Sequence, residues 1–235
     1  MPRPSSAGAS PPTSARRGAC SRRKCFSYHT ASPLYNQPTD ATPVYGVALD
    51  RYSVAPMDGR GASEVGPLST TDSMKVVFRP LSAADHEVVR EMMFQALFVR
   101  AGDEPFLRSV LDEPAIRRYY AGFGEVGTDA GVAAVVGGEV VGACWFRLFA
   151  GDDRGYGWVA DDVPELTIAL APGYRGQGFG TKLLHAVLAI AVEMGFGSIS
   201  LSVDPDCPAR RVYERAGFIH VGWDDTSMTM QRPVP

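Results

Sequence analysis

The chain has 235 residues, 45% of them hydrophobic and 21% charged, and carries a net charge of −3. That suits one globular domain with length to spare, not two full domains. No run of about 18 consecutive apolar residues occurs, so the sequence predicts a soluble chain with no membrane partner. Four cysteines, at 20, 25, 144 and 207, are too few for a disulfide scaffold and form no CxxC pair, which predicts a reduced, cytoplasmic protein. Cys20, Cys25 and His29 supply three zinc-type donors without a fourth nearby, so ordinary thiols and no metal are expected.

Residues 1–73 are rich in Pro, Ser, Thr, Ala and Gly and lack any sustained apolar period. Such a segment buries too little surface to offset its ordering entropy and is expected to be a disordered extension. Its first 39 residues hold Arg3, Arg16, Arg17, Arg22, Arg23 and Lys24 but no acidic residue, a composition shared with organelle transit peptides. The competing explanation is an upstream extension of the reading frame, because regular patterning begins abruptly at Met74. The domain is therefore placed at 74–235. Eight of the 23 basic and five of the 26 acidic residues precede Ser73's end, leaving the domain about −6. An acidic body argues against nucleic acid and suits cationic small molecules, as it also suits plain solubility.

Within the domain, Lys75 to Arg79 reads as a strand, and Ser82 with Asp85 three places on is a capping-box variant that opens a helix. Val88, Val89, Met92, Met93, Ala96 and Leu97 give that helix one buried stripe. Two shorter helical pieces follow, set off by Pro105 and Pro114. Val132–Val136 and Glu139–Phe149 form a hairpin about Gly137-Gly138. A polar loop with Asp152, Asp153, Asp161 and Asp162 leads to the strand Glu165–Ala171. A long helix after Gly180 presents Leu183, Leu184, Val187, Leu188, Ala191 and Val192 as its apolar face and stops at Gly195. Strand Ser198–Val203, a short helix from Pro208 to Gly217, and strands Phe218–Trp223 and Ser227–Gln231 complete the order β-α-α-β-β-β-α-β-α-β-β. This is a mixed α/β (α+β) domain with a mostly antiparallel first half, about seven strands and about four helices.

The segment Arg175-Gly176-Gln177-Gly178-Phe179-Gly180, between a strand and a helix, is built to receive phosphate. A helix start leaves main-chain N–H groups unpaired, and glycine lets the chain approach an anion closely. It matches neither the Walker loop nor the dinucleotide fingerprint. It does resemble the hallmark of the GNAT superfamily of N-acetyltransferases: Arg or Gln, two residues, Gly, one residue, Gly or Ala. Asp204-Pro205-Asp206-Cys207-Pro208-Ala209-Arg210-Arg211-Val212-Tyr213-Glu214-Arg215-Ala216-Gly217-Phe218 is similar to a second signature of that superfamily. The likeness covers essentially Met74 to the C-terminus and implies the GNAT fold.

The resemblance implies acetyl-coenzyme A as co-substrate, its pyrophosphate on Arg175, Gly176, Gln177, Gly178, Phe179, Gly180 and Thr181. It also implies a pantetheine paired with strand residues Ile168, Ala169 and Leu170. Cys207 stands where the family has an Asn that contacts the coenzyme. Glu165 stands where many members place a base, which a primary ammonium needs, its neutral form being disfavoured by roughly 4.6 kcal/mol at pH 7. Tyr213 matches the tyrosine that protonates the departing thiolate or hydrogen-bonds to it. Each has a plainer reading, Glu165 as a solvated strand-end residue and Tyr213 as core packing. The expected function is N-acetylation of a small-molecule or peptide amine by direct transfer in a ternary complex, with a homodimer compatible. The alternatives are a non-catalytic acyl-coenzyme A sensor and a different acyl group.

Overall fold

The computed structural model describes residues 76–234. The extension expected at 1–73, and with it Cys20, Cys25 and His29, lies outside the described residues.

Seven strands form one sheet: β1 Val76–Pro80, β2 Ala130–Val136, β3 Glu139–Arg147, β4 Glu165–Leu170, β5 Ser198–Val203, β6 Ile219–Asp224 and β7 Ser227–Pro233, in the order β1-β2-β3-β4-β5-β7-β6. Among the described residues four α-helices accompany them: α1 His86–Ala96, α2 Pro114–Arg117, α3 Phe179–Glu193 and α4 Arg210–Arg215. Every neighbouring pair is antiparallel except β4 with β5. The expected order of elements and the mixed α/β class are both present.

Period-two alternation divides the central strands between two cores, so both faces of the sheet are covered. Val132 and Ala134 of β2 with Cys144 and Phe146 of β3 pack against Leu183, Val187, Ile190 and Ala191 of α3. Ala133, Ala143 and Trp145 point the other way, to Val89, Met92 and Met93 of α1 and to Ile116 and Tyr119. Trp145 and Phe146 are fully buried on opposite faces. Truncating either to alanine costs about 3–5 kcal/mol.

Three local expectations differ in detail. The Ser82–Asp85 capping box is formed, with the Ser82 N–H donating to Asp85 at 2.9 Å, but it opens a 3₁₀ turn at Ala83–Asp85 before α1 begins. Leu97 lies past the end of α1 in extended backbone, its N–H donating back to the Phe94 carbonyl. Val192 is 42% exposed while Ala186 and Ile190 are buried. The stripe on α3 is therefore rotated by part of a turn from the one expected.

Candidate active site

The site begins with a defect in the sheet. β4 pairs with β3 along its whole length, from Arg147↔Glu165 to Gly142↔Leu170. Toward β5 it has a single register pair, Glu165↔Ser200. Beyond Glu165 the two parallel strands part, and the edge of β4 from Leu166 to Leu170 faces a cleft of about 810 Å³. An unpaired strand edge presents main-chain donors and acceptors to whatever lies beside it.

At the C-terminal end of β4 the chain turns through Pro172–Tyr174 into α3. Gly176 and Gly178 have φ of 75° and 81°, a left-handed conformation that a side chain resists. Gly178 caps α3. Among the described residues no main-chain N–H from Gly176 to Thr181 donates a hydrogen bond, and the first turn of the helix holds no acidic residue. These donors sit at the start of α3, where the helix dipole favours an anion, and Gly176 and Gly180 of this segment line the cleft.

Of the residues singled out from sequence, Glu165, Ile168, Ala169, Leu170, Arg175, Gly176, Gly180, Cys207 and Tyr213 all line that cleft. Gln177, Gly178, Phe179 and Thr181 belong to the turn outside its lining. Arg175 is bound as a brace, donating to the Leu170 carbonyl at 3.0 Å and the Gln95 carbonyl at 3.2 Å. Gln177 is tied back to the Gly173 carbonyl at 2.8 Å. The turn thus offers an anion its main chain, with these two side chains holding its shape.

Glu165 is 3% exposed, which removes the solvated strand-end reading. Its Oε1 accepts hydrogen bonds from the Tyr119 hydroxyl and the Gly157 N–H, each at 2.8 Å. Its Oε2 has no partner among the described residues. Burial is the dominant cause that raises its pKa to about 7, with Asp224 adding to the rise, against the two hydrogen bonds and the Arg118 charge that favour the carboxylate. Gly155 and Gly157 are small for steric reasons. A Cβ at Gly155 would collide with the free Oε2, and one at Gly157 would come within 2.5 Å of the Leu201 carbonyl carbon.

Tyr119 and Tyr156 were not singled out as site residues from sequence. The Tyr156 N–H donates to the Tyr119 oxygen at 2.6 Å, so the phenol proton is directed onto Glu165. The two rings stack with centroids 6.3 Å apart. Tyr119 is held from behind by Trp145, whose indole N–H donates to its carbonyl at 2.9 Å. Arg147 donates to the flanking carbonyls of Arg118 and Ala121 and pairs with the buried Asp129 at 3.0 Å.

Tyr213 is buried and packs edge-on to Phe218, centroids 6.0 Å apart. Its hydroxyl makes no hydrogen bond among the described residues, and burial pushes its pKa well above the ordinary phenol value. Cys207 is half-buried, and burial raises its thiol too, so it stays protonated and is a poor nucleophile. Of the acidic loop, Asp153 pairs with Arg118 at 3.0 Å and Asp161 accepts from the Gly151 N–H. No group of three or more metal-type donors gathers among the described residues.

An open mixed sheet, splayed at one parallel pair beside a glycine turn and a helix start, defines an α/β protein with a strand-lined ligand cleft. The sequence profile of the acetyltransferase (GNAT) family matches residues 93–218, and the chain belongs to that family. Over 66 residues it is 42% identical to a mycothiol acetyltransferase of Corynebacterium aurimucosum, a match covering 26% of this chain and 22% of that protein. Over 82 residues it is 37% identical to an uncharacterised N-acetyltransferase of Mycobacterium bovis, covering 34% of this chain and 47% of that one. The matches thus span less than half the length of these relatives. Among solved structures, the PaiA N-acetyltransferase of Thermoplasma acidophilum in complex with coenzyme A shares the fold, with a TM-score of 0.51 and 19% identity over 68% of this chain and 99% of that one.

Proposed function

We propose that this chain transfers acetyl from acetyl-coenzyme A to a primary amine, directly and within a ternary complex. The observation that carries the reading is the parting of β4 from β5 after Glu165, which leaves a strand edge running into six undonated main-chain N–H groups. A pantetheine needs the first and a diphosphate the second, so the residues present fit the coenzyme. When bound it supplies the activated thioester. Charge-assisted hydrogen bonds from the turn contribute about 1.5–3 kcal/mol each, so three or four suffice for micromolar affinity, about 8 kcal/mol, after association costs.

Glu165 takes the proton of the incoming ammonium, directly or through one water, with a pKa near the operating pH. Main-chain N–H groups on the free edge of β4 polarise the thioester carbonyl. The raised pKa of Tyr213 makes complete proton transfer to a thiolate of pKa about 8.5 uphill. Its role is to donate a hydrogen bond that stabilises the departing sulfur. Cys207 supplies a weaker coenzyme contact than an asparagine would.

Release of free thiol from acetyl-coenzyme A in the presence of amines tests the reading. Glu165→Gln is expected to lower kcat/KM by about 10²–10⁴ and Tyr213→Phe by about 10–10², with calorimetric coenzyme affinity kept in both. Coenzyme binding without turnover toward any amine would instead describe a sensor of acyl-coenzyme A.

A further inference from the structure

Part of the cleft lining lies outside the residues assigned to the coenzyme, and it bears on the acceptor. Resting on the transfer reading above, we infer that this site takes a monoamine carried on an uncharged apolar body, of the arylalkylamine or alkylamine type. Polyamines and free amino acids are disfavoured.

Three observations carry this. The first is the wall itself. Phe98, Val99 and Phe106, from the segment between α1 and α2, join Ile116, Tyr119 and Tyr156 around the cleft. Val99 and Phe106 are each 36% exposed and Tyr156 is 41% exposed. Large apolar surfaces left open inside a concavity mark a place where an apolar ligand gains burial.

The second is the charge census. Glu165, Arg175 and Asp204 are the charged side chains lining the cleft among the described residues. Arg175 is committed to the carbonyls of Leu170 and Gln95. Asp204 is paired with Arg100 at 2.7 Å. Among the described residues only Glu165 remains uncommitted, its Oε2 buried against Gly155 without a hydrogen-bond partner. One ammonium therefore finds a counter-charge there. A second ammonium, as in a polyamine, would be desolvated with none. An α-carboxylate would meet no uncommitted cation and would sit beside a carboxylate of the same sign.

The third is shape. The Tyr119 and Tyr156 rings lie near-parallel, at 10°, beside that carboxylate. Tyr119 is buried, so the exposed Tyr156 ring is the one that offers a cation its face and a flat or linear apolar chain its body.

The experiment is thiol release from acetyl-coenzyme A by the full chain, with 2-phenylethylamine, hexylamine, phenylalanine, spermidine and phenylalanyl-glycinamide as acceptors. The expected kcat/KM for 2-phenylethylamine exceeds that for phenylalanine and for spermidine by about 100-fold, with hexylamine within about tenfold of the best. Phe106→Ser is expected to raise KM for 2-phenylethylamine at least about fivefold while coenzyme affinity and thermal midpoint hold, since Phe106 is outside the segments assigned to the coenzyme and is 36% exposed. Turnover of spermidine, phenylalanine or the peptide at or above 2-phenylethylamine overturns this inference and leaves acetyl transfer standing. No turnover with any amine, in protein that binds the coenzyme, overturns both.

Discussion

The hydroxyl of Tyr119 donates to Oε1 of Glu165 at 2.8 Å across 46 residues of sequence. It ties the segment just after α2 to the head of β4. Because the Tyr156 N–H occupies the phenol oxygen, Tyr119 has one use for its proton. It stabilises the carboxylate form of a group that burial would otherwise keep neutral.

The acid limb of the activity profile follows. With Glu165 titrating near 7, kcat/KM should rise with pH through that region as the base loses its proton. Tyr119→Phe removes a hydrogen bond that lowers the Glu165 pKa, so the limb moves to higher pH by about one unit. The variant should lose about tenfold at pH 6.5 and recover most of it at pH 9. An equal loss at both values, measured as kcat/KM against a buffered pH series, would refute the coupling.

The same group makes the fold sensitive to pH. Its folded pKa of about 7 lies above the unfolded value of about 4.5. The stability it contributes is complete below the unfolded value and is lost as pH rises through the folded one. The loss is on the order of 3 kcal/mol by pH 8. Glu165→Gln keeps an oxygen to accept from Tyr119 and Gly157 and has no charge to bury. Its thermal midpoint should match the parent at pH 5 and exceed it by several degrees at pH 8. A difference that stays constant between the two pH values contradicts this account.

The elements and the glycine turn were legible because they rest on local rules: strand period, helical period, and glycine where φ turns positive. The site was legible only in part. Tyr119 and Tyr120 are adjacent and chemically identical, yet one hydroxyl reaches Glu165 and the other the Leu111 carbonyl. Nothing in their neighbourhood tells them apart, because the difference is made by strands distant in sequence. The burial of Glu165 was equally hidden, since its cover comes from Gly155, Gly157 and Tyr119 and not from β4 itself. The spacing Gly155-x-Gly157 ahead of an acidic strand start is the one local signal, and by composition alone it reads as loop.

Gly180 allows the proposed coenzyme site to be tested apart from the fold. A Cβ there would stand 3.5 Å from Leu170 and 3.9 Å from Ile168, ordinary contacts that the core tolerates. Anything larger would lie over the free edge of β4, in the path assigned to the pantetheine. Gly180→Val should therefore weaken acetyl-coenzyme A binding at least about 100-fold by calorimetry while the thermal midpoint changes by no more than about 3 °C. Undiminished affinity in the folded variant would remove the strand edge from the binding site.

Asp129 and Arg147 test how far the site depends on its support. Asp129 is 8% exposed and takes both an Arg147 ion pair at 3.0 Å and the Gly124 N–H at 3.1 Å. Arg147 spends its remaining donors on the carbonyls of Arg118 and Ala121, at 2.7 and 2.6 Å, on either side of Tyr119, and on that of Gly122 at 3.4 Å. Asp129→Asn leaves a buried guanidinium without its counter-charge and should cost about 3–5 kcal/mol. Paired replacement by Asn and Met restores neutrality, so it should recover part of the stability. It still leaves those carbonyls without their donor, and Tyr119 loses its anchor. The double variant is expected to keep coenzyme affinity, gain stability over Asp129→Asn, and show the upward shift of the acid limb seen for Tyr119→Phe. A double variant with the parent's pH profile would show that Trp145 alone suffices to hold Tyr119 against Glu165.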